Sequence, residues 1–404
     1  MASIYKNCFV TIAATASKDS KGGCFRPRKP FTLLRRPQVE PSESSDTLLL
    51  YPDSMRTLEY MLNAPLNKRG WTFQEQALSC RTLNFCEDQL LWHCLERITT
   101  EDGVVDFPGY KPEHDSAERF YAKLGTKVGL IKDLNEVVTQ RVYWWNVVKE
   151  FTSRNLTKIT DRLPALSGVI AEFQELTGSK PIALLWNNDL PYGLLWRCAS
   201  RSMKRPEVLS KIPTWSWVSL DGPIVNDLRD HTRLTYQQRT VIEVHIDIIT
   251  ASVSHSRLVP TSPIMGGTIS LYGRLQPATR SREDRTRGLF TEVRDEDISF
   301  FRLLAPQPCI SLDMQHLHIG WCIFDQEAPP PDQVIWCLEI SISERTSESS
   351  IDPFEEVPAP ANTHDVLILE PEENSDEKFR RIGVGAIHVG RETFQHERRL
   401  VSIV

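Results

Sequence analysis

The sequence predicts an α+β protein in three parts: an α/β region over 1–95, a helical, tryptophan-rich region over 96–218, and a mainly antiparallel β region over 219–404. Three observations carry this. A short apolar run, Cys8 to Ala14, is followed later by a helix-like stretch near Gly70–Leu78 and two β-leaning runs, Arg81 to Phe85 and Leu90 to Cys94. From Ala117 to Leu176 apolar residues recur at three- and four-residue steps, the repeat of one helix face. Beyond Val218 the repeat becomes two: Ile242, Val244, Ile246 and Ile248 alternate with Glu243, His245 and Asp247, and Trp336, Leu338, Ile340 and Ile342 alternate with Cys337, Glu339 and Ser341.

In order along the chain, Met1 to Asn7 reads as the tail of a helix entering a buried strand, Cys8 to Ala14, with Gly22-Gly23 as the turn after it. Arg26 to Ser54 holds five prolines among many Ser, Glu and Arg residues and reads as a connecting excursion. The runs Arg81 to Phe85 and Leu90 to Cys94 flank a polar tetrapeptide and predict a hairpin. Asp102 to Asp115 is a polar break. Three helices are then expected: one from Ala117 on Phe120, Leu124, Val128, Ile131 and Leu134; one over Val142 to Phe151; and one capped by Asp161 and stopped by Gly178. In the last part Ile269 to Leu275, Val366 to Leu369 and Ile382 to Val389 complete an antiparallel sheet or barrel. Pro277 to Asp297 and Ser343 to His364 are polar and read as solvated loops.

At 404 residues, 40% hydrophobic and 25% charged, the chain has the composition of a globular protein of two or three structural units. A net charge of −6 gives no concentrated basic face, so nucleic acid is not an expected partner. Nine cysteines without regular spacing suit reduced thiols in a cytoplasmic protein. No apolar run is long enough to span a bilayer, and the stretch after Lys6 is too short, and broken by Thr11, for a signal peptide. Six of the ten tryptophans fall between Trp144 and Trp217, and such large side chains are read as core.

Metal sites drawn from Cys80, Cys86, His93 and Cys94, or from His316 and His318, lack the paired spacing of zinc ligands, so no metal is expected. No nucleophile elbow, Walker loop or dinucleotide fingerprint occurs. Adjacent His93 and Cys94 on a strand point to opposite faces and do not make a catalytic pair. What stands out is Trp71 and Glu75, four apart. A helix beginning before Trp71 puts the indole and the carboxylate on one face; a helix capped at Thr72 makes Thr72 and Glu75 a capping box and leaves Trp71 outside. Both readings stay open.

The run Leu66-Asn67-Lys68-Arg69-Gly70-Trp71-Thr72-Phe73-Gln74-Glu75, then Leu78-Ser79, Arg81-Thr82-Leu83 and Trp92-His93-Cys94, resembles the C-terminal motif of the fungal heterokaryon-incompatibility (HET) domain. Met1, Ile4, Tyr5, Asn7, Thr11 to Ala14, Gly23, Phe25 and Arg28 resemble its middle motif, with Cys8 where the family has Ala. Thr152 to Gly168, Leu185 to Trp196, Pro213 to Trp217 and the Phe379 to Gly385 strand resemble later parts of long family members. The family's earlier L-S-Y-x-W-G and C-I-x-Q segments do not occur, so the resemblance implies a chain that begins part-way through its domain.

What the resemblance implies is a role in non-self recognition and programmed cell death. HET domains are remotely similar to TIR domains, some of which hydrolyse NAD with a Glu four residues after a Trp. On that likeness Glu75, with Trp71, is the candidate catalytic residue, and Arg69, Gly70, Thr72, Gln74 and Arg81 are motif residues of structural role. NAD is then the substrate, and no bound cofactor is implied. Activity is expected only with the rest of such a domain in place. Protein partners and self-association are expected. The alternatives are a non-catalytic scaffold or interaction protein, or an inactive truncated paralogue.

Overall fold

The computed structural model describes residues 2–25, 32–35, 47–50, 61, 63–103, 106–108, 127, 137–199, 203–226, 239–256, 262–280, 299–303, 319–330, 333–345, 362–373, 375, 377–387 and 397–404. Contacts divide the chain into two units, Met1–Gly178 and Ser179–Val404. The expected boundary at 95 falls inside the first unit and that at 218 inside the second.

In the first unit, helix α1 (Ala2–Asn7) leads into strand β1 (Thr11–Ala13). Residues expected to lie in a connecting excursion include an antiparallel pair, β2 (Thr32–Arg35) with β3 (Thr47–Leu50). Helix α2 (Gly70–Leu78) then delivers the chain to β4 (Arg81–Phe85), which runs parallel to β1, as a helical crossover permits. The hairpin read from sequence forms as expected, with β5 (Leu90–Cys94) antiparallel to β4 from Arg81↔Cys94 to Phe85↔Leu90. β6 (Arg97–Thr100) and β7 (Asp106–Pro108) extend the sheet, giving the order β1-β4-β5-β6-β7.

Only Thr11–Ala13 of the expected buried strand is extended, and it is buried on one side: Ala13 is enclosed while Ile12 is 62% exposed. The cause is position, because β1 pairs with β4 alone among the described residues. Helix α3 (Val137–Thr152) starts five residues before the expected Val142, since no helix breaker intervenes; the helix expected from Ala117 lies almost wholly outside the described residues. Helix α4 (Arg162–Thr177) ends at Gly178, whose φ of 71° is the left-handed conformation a C-terminal glycine supplies, and whose N–H donates to Gln174 O at 2.9 Å. Asp161 precedes α4 but makes no side-chain cap bond; its carboxylate is engaged elsewhere.

The second unit opens with short elements: β8 (Pro181–Ile182) pairs with β9 (Leu185–Trp186), a four-residue helix α5 (Leu190–Gly193) follows, and β10 (Arg197–Cys198) pairs with β11 (Ile224–Val225). Trp186, Trp196, Trp215 and Trp217 are all buried here, as are Trp144 and Trp145 in the first unit, so the tryptophans are core residues. The remaining strands are β12 (Arg239–Val244), β13 (Asp247–His255), β14 (Ile264–Arg280), β15 (Ser299–Leu303), β16 (Ile319–Phe324), β17 (Val334–Arg345), β18 (Asn362–Pro371), β19 (Lys378–Ile387) and β20 (Arg398–Ile403).

Six of them close a ring, β14-β17-β18-β19-β16-β15 and back to β14, with every neighbour antiparallel. Closure removes sheet edges within the ring. Its core includes Ala278, Cys322, Phe324, Ile335, Cys337, Val366, Ile368 and Ile387. The long β14 changes neighbours along its length: Ile264–Tyr272 pair with β13, Ile269–Arg274 with β20, and Leu275–Thr279 with β17. Pro277, expected to open a loop, sits inside this strand opposite Trp336, in the stretch where the exchange occurs. Ser343 to Arg345, Asn362 and Thr363 likewise belong to strands, while 281–298 and 346–361 lie outside the described residues.

The half-buried pattern expected for β17 is overturned. Cys337, Glu339 and Ser341, placed on the solvent face by alternation, are all 0% exposed, because one face of this strand lines the barrel and the other is covered as well.

Candidate functional site at the Gly70–Leu78 helix

Helix α2 begins at Gly70, so Thr72 lies inside its first turn and is no cap. The capping-box reading is therefore wrong, and Trp71 and Glu75 do share a helix face. The Thr72 hydroxyl instead reaches back to Leu66 O at 2.7 Å and Arg69 O at 2.8 Å, tying α2 to the turn before it.

Each motif residue has a definable place. The exposed Arg69 occupies the cap position, where its backbone bridges to Asn155. Gly70 donates its N–H to Asn155 O at 2.8 Å, and Asn155 returns a bond to Lys68 O at 2.7 Å. A Cβ on Gly70 would lie 2.4 Å from Leu156 Cδ2, so this approach of two backbones requires glycine. Buried Gln74 accepts the N–H of Gly168 at 2.7 Å, at a point where a Cβ on Gly168 would strike Ala2, Gln74 and Leu78. Arg81 lies on the outer face of the sheet with its guanidinium 5.3 Å from the Phe9 ring centre.

Trp71 donates its indole N–H to Asp161 Oδ2 at 3.2 Å. Glu75 is half-buried and accepts the hydroxyl of Tyr5, a residue of α1. Burial first, then the hydrogen bond and charge of Glu75, push the Tyr5 phenol up to about 12. Glu75 and Tyr5 thus form a fixed carboxylate–phenol pair. Ser79 closes the other end of the helix, donating to Glu75 O at 2.6 Å.

Several residues that organise this site were not singled out from sequence. Arg154 lies under α2, with its guanidinium 5.0 Å from the Phe73 ring centre, bonded to Gln76 Oε1 at 3.0 Å and paired with Glu150 at 3.0 Å. Burial lowers its pKa, and Glu150 opposes that. Lys127 donates to Ser79 O at 2.6 Å, Thr82 Oγ1 at 3.2 Å and Gln76 O at 3.3 Å, covering the carbonyls at the end of α2. Burial pulls its pKa down to about 8. Arg154 and Asn155 had a signal in the Thr152 to Gly168 resemblance; Tyr5 had one in the middle motif, and Lys127 had none.

These contacts join the region around α2 to the segment 150–168, and a family comparison matches the stretch that leads into them. The family described as heterokaryon incompatibility protein (HET) matches residues 1–75, ending on Glu75. Residues 1–75 are a HET-family segment. The resemblances read in 78–94, 152–217 and 379–385 lie beyond that match. No curated protein and no solved structure matches the chain.

Two further observations bear on the chemistry open to the HET segment. Among the described residues no group of three or more His, Cys, Asp or Glu is arranged to hold a metal ion. No described helix is long and apolar enough to cross a membrane.

Proposed function

We propose that this protein acts in heterokaryon-incompatibility-type non-self recognition and regulated cell death, with Glu75 as the functional carboxylate of its HET segment. The observation that carries the reading is the Glu75–Tyr5 pair on a helix whose motif falls inside the HET match. A carboxylate held in one orientation suits cleavage of the nicotinamide–ribose bond of NAD: neutral nicotinamide leaves with the bonding electrons, and the ribose cation left behind is stabilised by a fixed negative charge. The reading places the protein in the cytoplasm with protein partners, self-association among them.

A second reading is supported by a specific feature. Gly70, Thr72 and Gln74 are committed to packing, and Trp71 to Asp161, as a non-catalytic scaffold would require. Nicotinamide release by the purified chain and its Glu75→Gln variant, at matched melting temperature, separates the two. Release that disappears in the variant supports catalysis. Equal release, or none from either, together with growth arrest on expression in a filamentous fungus, favours the scaffold; no release and no arrest removes both.

A further inference from the structure

In the second unit, β12 and β13 are nearly continuous but separate at His245-Ile246, where β13 stays with β14 and β12 crosses to β17. The three strands part around Gly273, where a Cβ would lie 2.7 Å from Leu338 and 3.1 Å from Ile246. At the same point β17 carries an irregularity: Glu339 pairs with Val366 and Ser341 with Asp365, leaving Ile340 as an extra residue. The carbonyl of Ile340 accepts the His245 N–H at 2.8 Å.

Charge is concentrated on the barrel side of this fork. Glu339, 0% exposed, has one oxygen, Oε1, lying 2.6 Å from His364 Nδ1 and 2.8 Å from His245 Nδ1, and the other, Oε2, 3.2 Å from Arg274 Nη1. Two imidazole nitrogens this close to a carboxylate must both carry hydrogen, so Nδ1 donates in each ring. Burial works to raise Glu339, but the bonds from His364 and His245 prevail and hold it below the usual carboxylate range. It stays ionised as the pH falls through the imidazole range.

The remaining charged neighbours decide where added protons go. His245 Nε2 is 3.3 Å from Glu243, which is 69% exposed, so one proton there lies between two carboxylates. His364 is 1% exposed, and the Glu339 oxygen it uses is already shared. Asp365 bonds Ser341 on the other face of β18. Asp247 is paired with Arg398, which lies directly opposite Arg274 and adds positive charge to that edge. A second proton, on His364, therefore leaves a net buried positive charge, which is costly.

We propose that this fork is an acid-sensitive latch, in which Glu339 and two neutral imidazoles hold β12 and the 245–246 link against β17, and protonation of both imidazoles releases them.

Hydrogen exchange of the whole 404-residue chain tests it. Between about pH 7.5 and about pH 5, corrected for intrinsic exchange, protection over residues 239–246 should fall by about tenfold or more, while residues 378–387 stay within about twofold. His364→Asn keeps a donor near the Nδ1 position without a titrating ring, and should leave 239–246 protected at the lower pH. Unchanged protection in the wild type, or an undiminished loss in His364→Asn, overturns the proposal. Should that variant fail to fold, ring nitrogen shifts of the wild type decide: two imidazole protonations, the second accompanied by loss of β12 protection, support the latch, and rings still neutral at about pH 5 overturn it.

Discussion

Lys127, at the end of α2, and Arg381, in the barrel wall, are both fully buried cations, and they are satisfied in different ways. Lys127 gives its three hydrogens to two carbonyls and a hydroxyl. Arg381 also bonds carbonyls, Leu194 O at 2.9 Å and Trp196 O, but adds the carboxylate of Asp325 at 3.1 Å and lies 3.4 Å over the centre of the Trp196 ring. Neutral acceptors fill hydrogen-bond sites without cancelling the cost of taking a charge out of water, whereas a counter-charge offsets much of it. The first cation is therefore open to titration near neutral pH, and the second is a fixed structural charge that depends on its partner.

The sharpest way to break this contrast is Arg381→Ala, which leaves Asp325 buried without its partner and should cost about 5 kcal/mol in denaturant unfolding. A loss under about 1 kcal/mol would put Arg381 in the same class as a surface ion pair. Next is the pH dependence of Lys127. Its folded value of about 8 lies below the ordinary 10.5, so between the two the unfolded chain holds the proton that the folded chain has lost. The stability this group contributes is full above 10.5 and is lost as the pH falls through 8, a span of about 3 kcal/mol. Buried thiols such as Cys86, pushed up to about 12 by burial first and by Asp88, act in the opposite sense, so the quantity to measure is wild type minus Lys127→Met. A difference that does not change with pH refutes the assignment.

Smaller effects sharpen the picture around α2. Gly70→Ala forces a methyl group onto Leu156 and should cost about 2 kcal/mol, read as a lower urea midpoint. Glu75→Gln should cost about 1 kcal/mol or less, yet lower the Tyr5 phenol from its raised value of about 12, visible in the ultraviolet titration of tyrosine. A phenol that titrates unchanged would mean that the pair does not form in solution.

The sequence made some of this legible and hid the rest for identifiable reasons. The β4–β5 hairpin and the stop at Gly178 depend on neighbours a few residues away, and local pattern recovers them. The importance of Gly70 and Gln74 was legible as a motif, but their partners, Asn155 and Gly168, lie 85 and 94 residues away and carry no local signal. Alternation failed in β17 because it assumes one wet face, and a closed barrel wall with its outside covered has none. Pro277 misled for a related reason: its missing N–H is tolerated where a strand changes partner, a fact of topology and not of sequence.

The extra residue at Ile340 has a genetic consequence. Side chains alternate along a strand, so removing this one codon would not simply subtract an isoleucine; it would move Ser341 through Arg345 to the opposite sides of β17 together. Ser341, now facing Asp365, would turn toward the barrel, and Ile342 would turn away from it. A point substitution at Ile340 changes one contact, whereas an in-frame deletion rewrites the pairing of the whole second half of the strand. Length at this position is thus under tighter constraint than identity, and a survey of natural variants should find substitutions there without single-residue deletions.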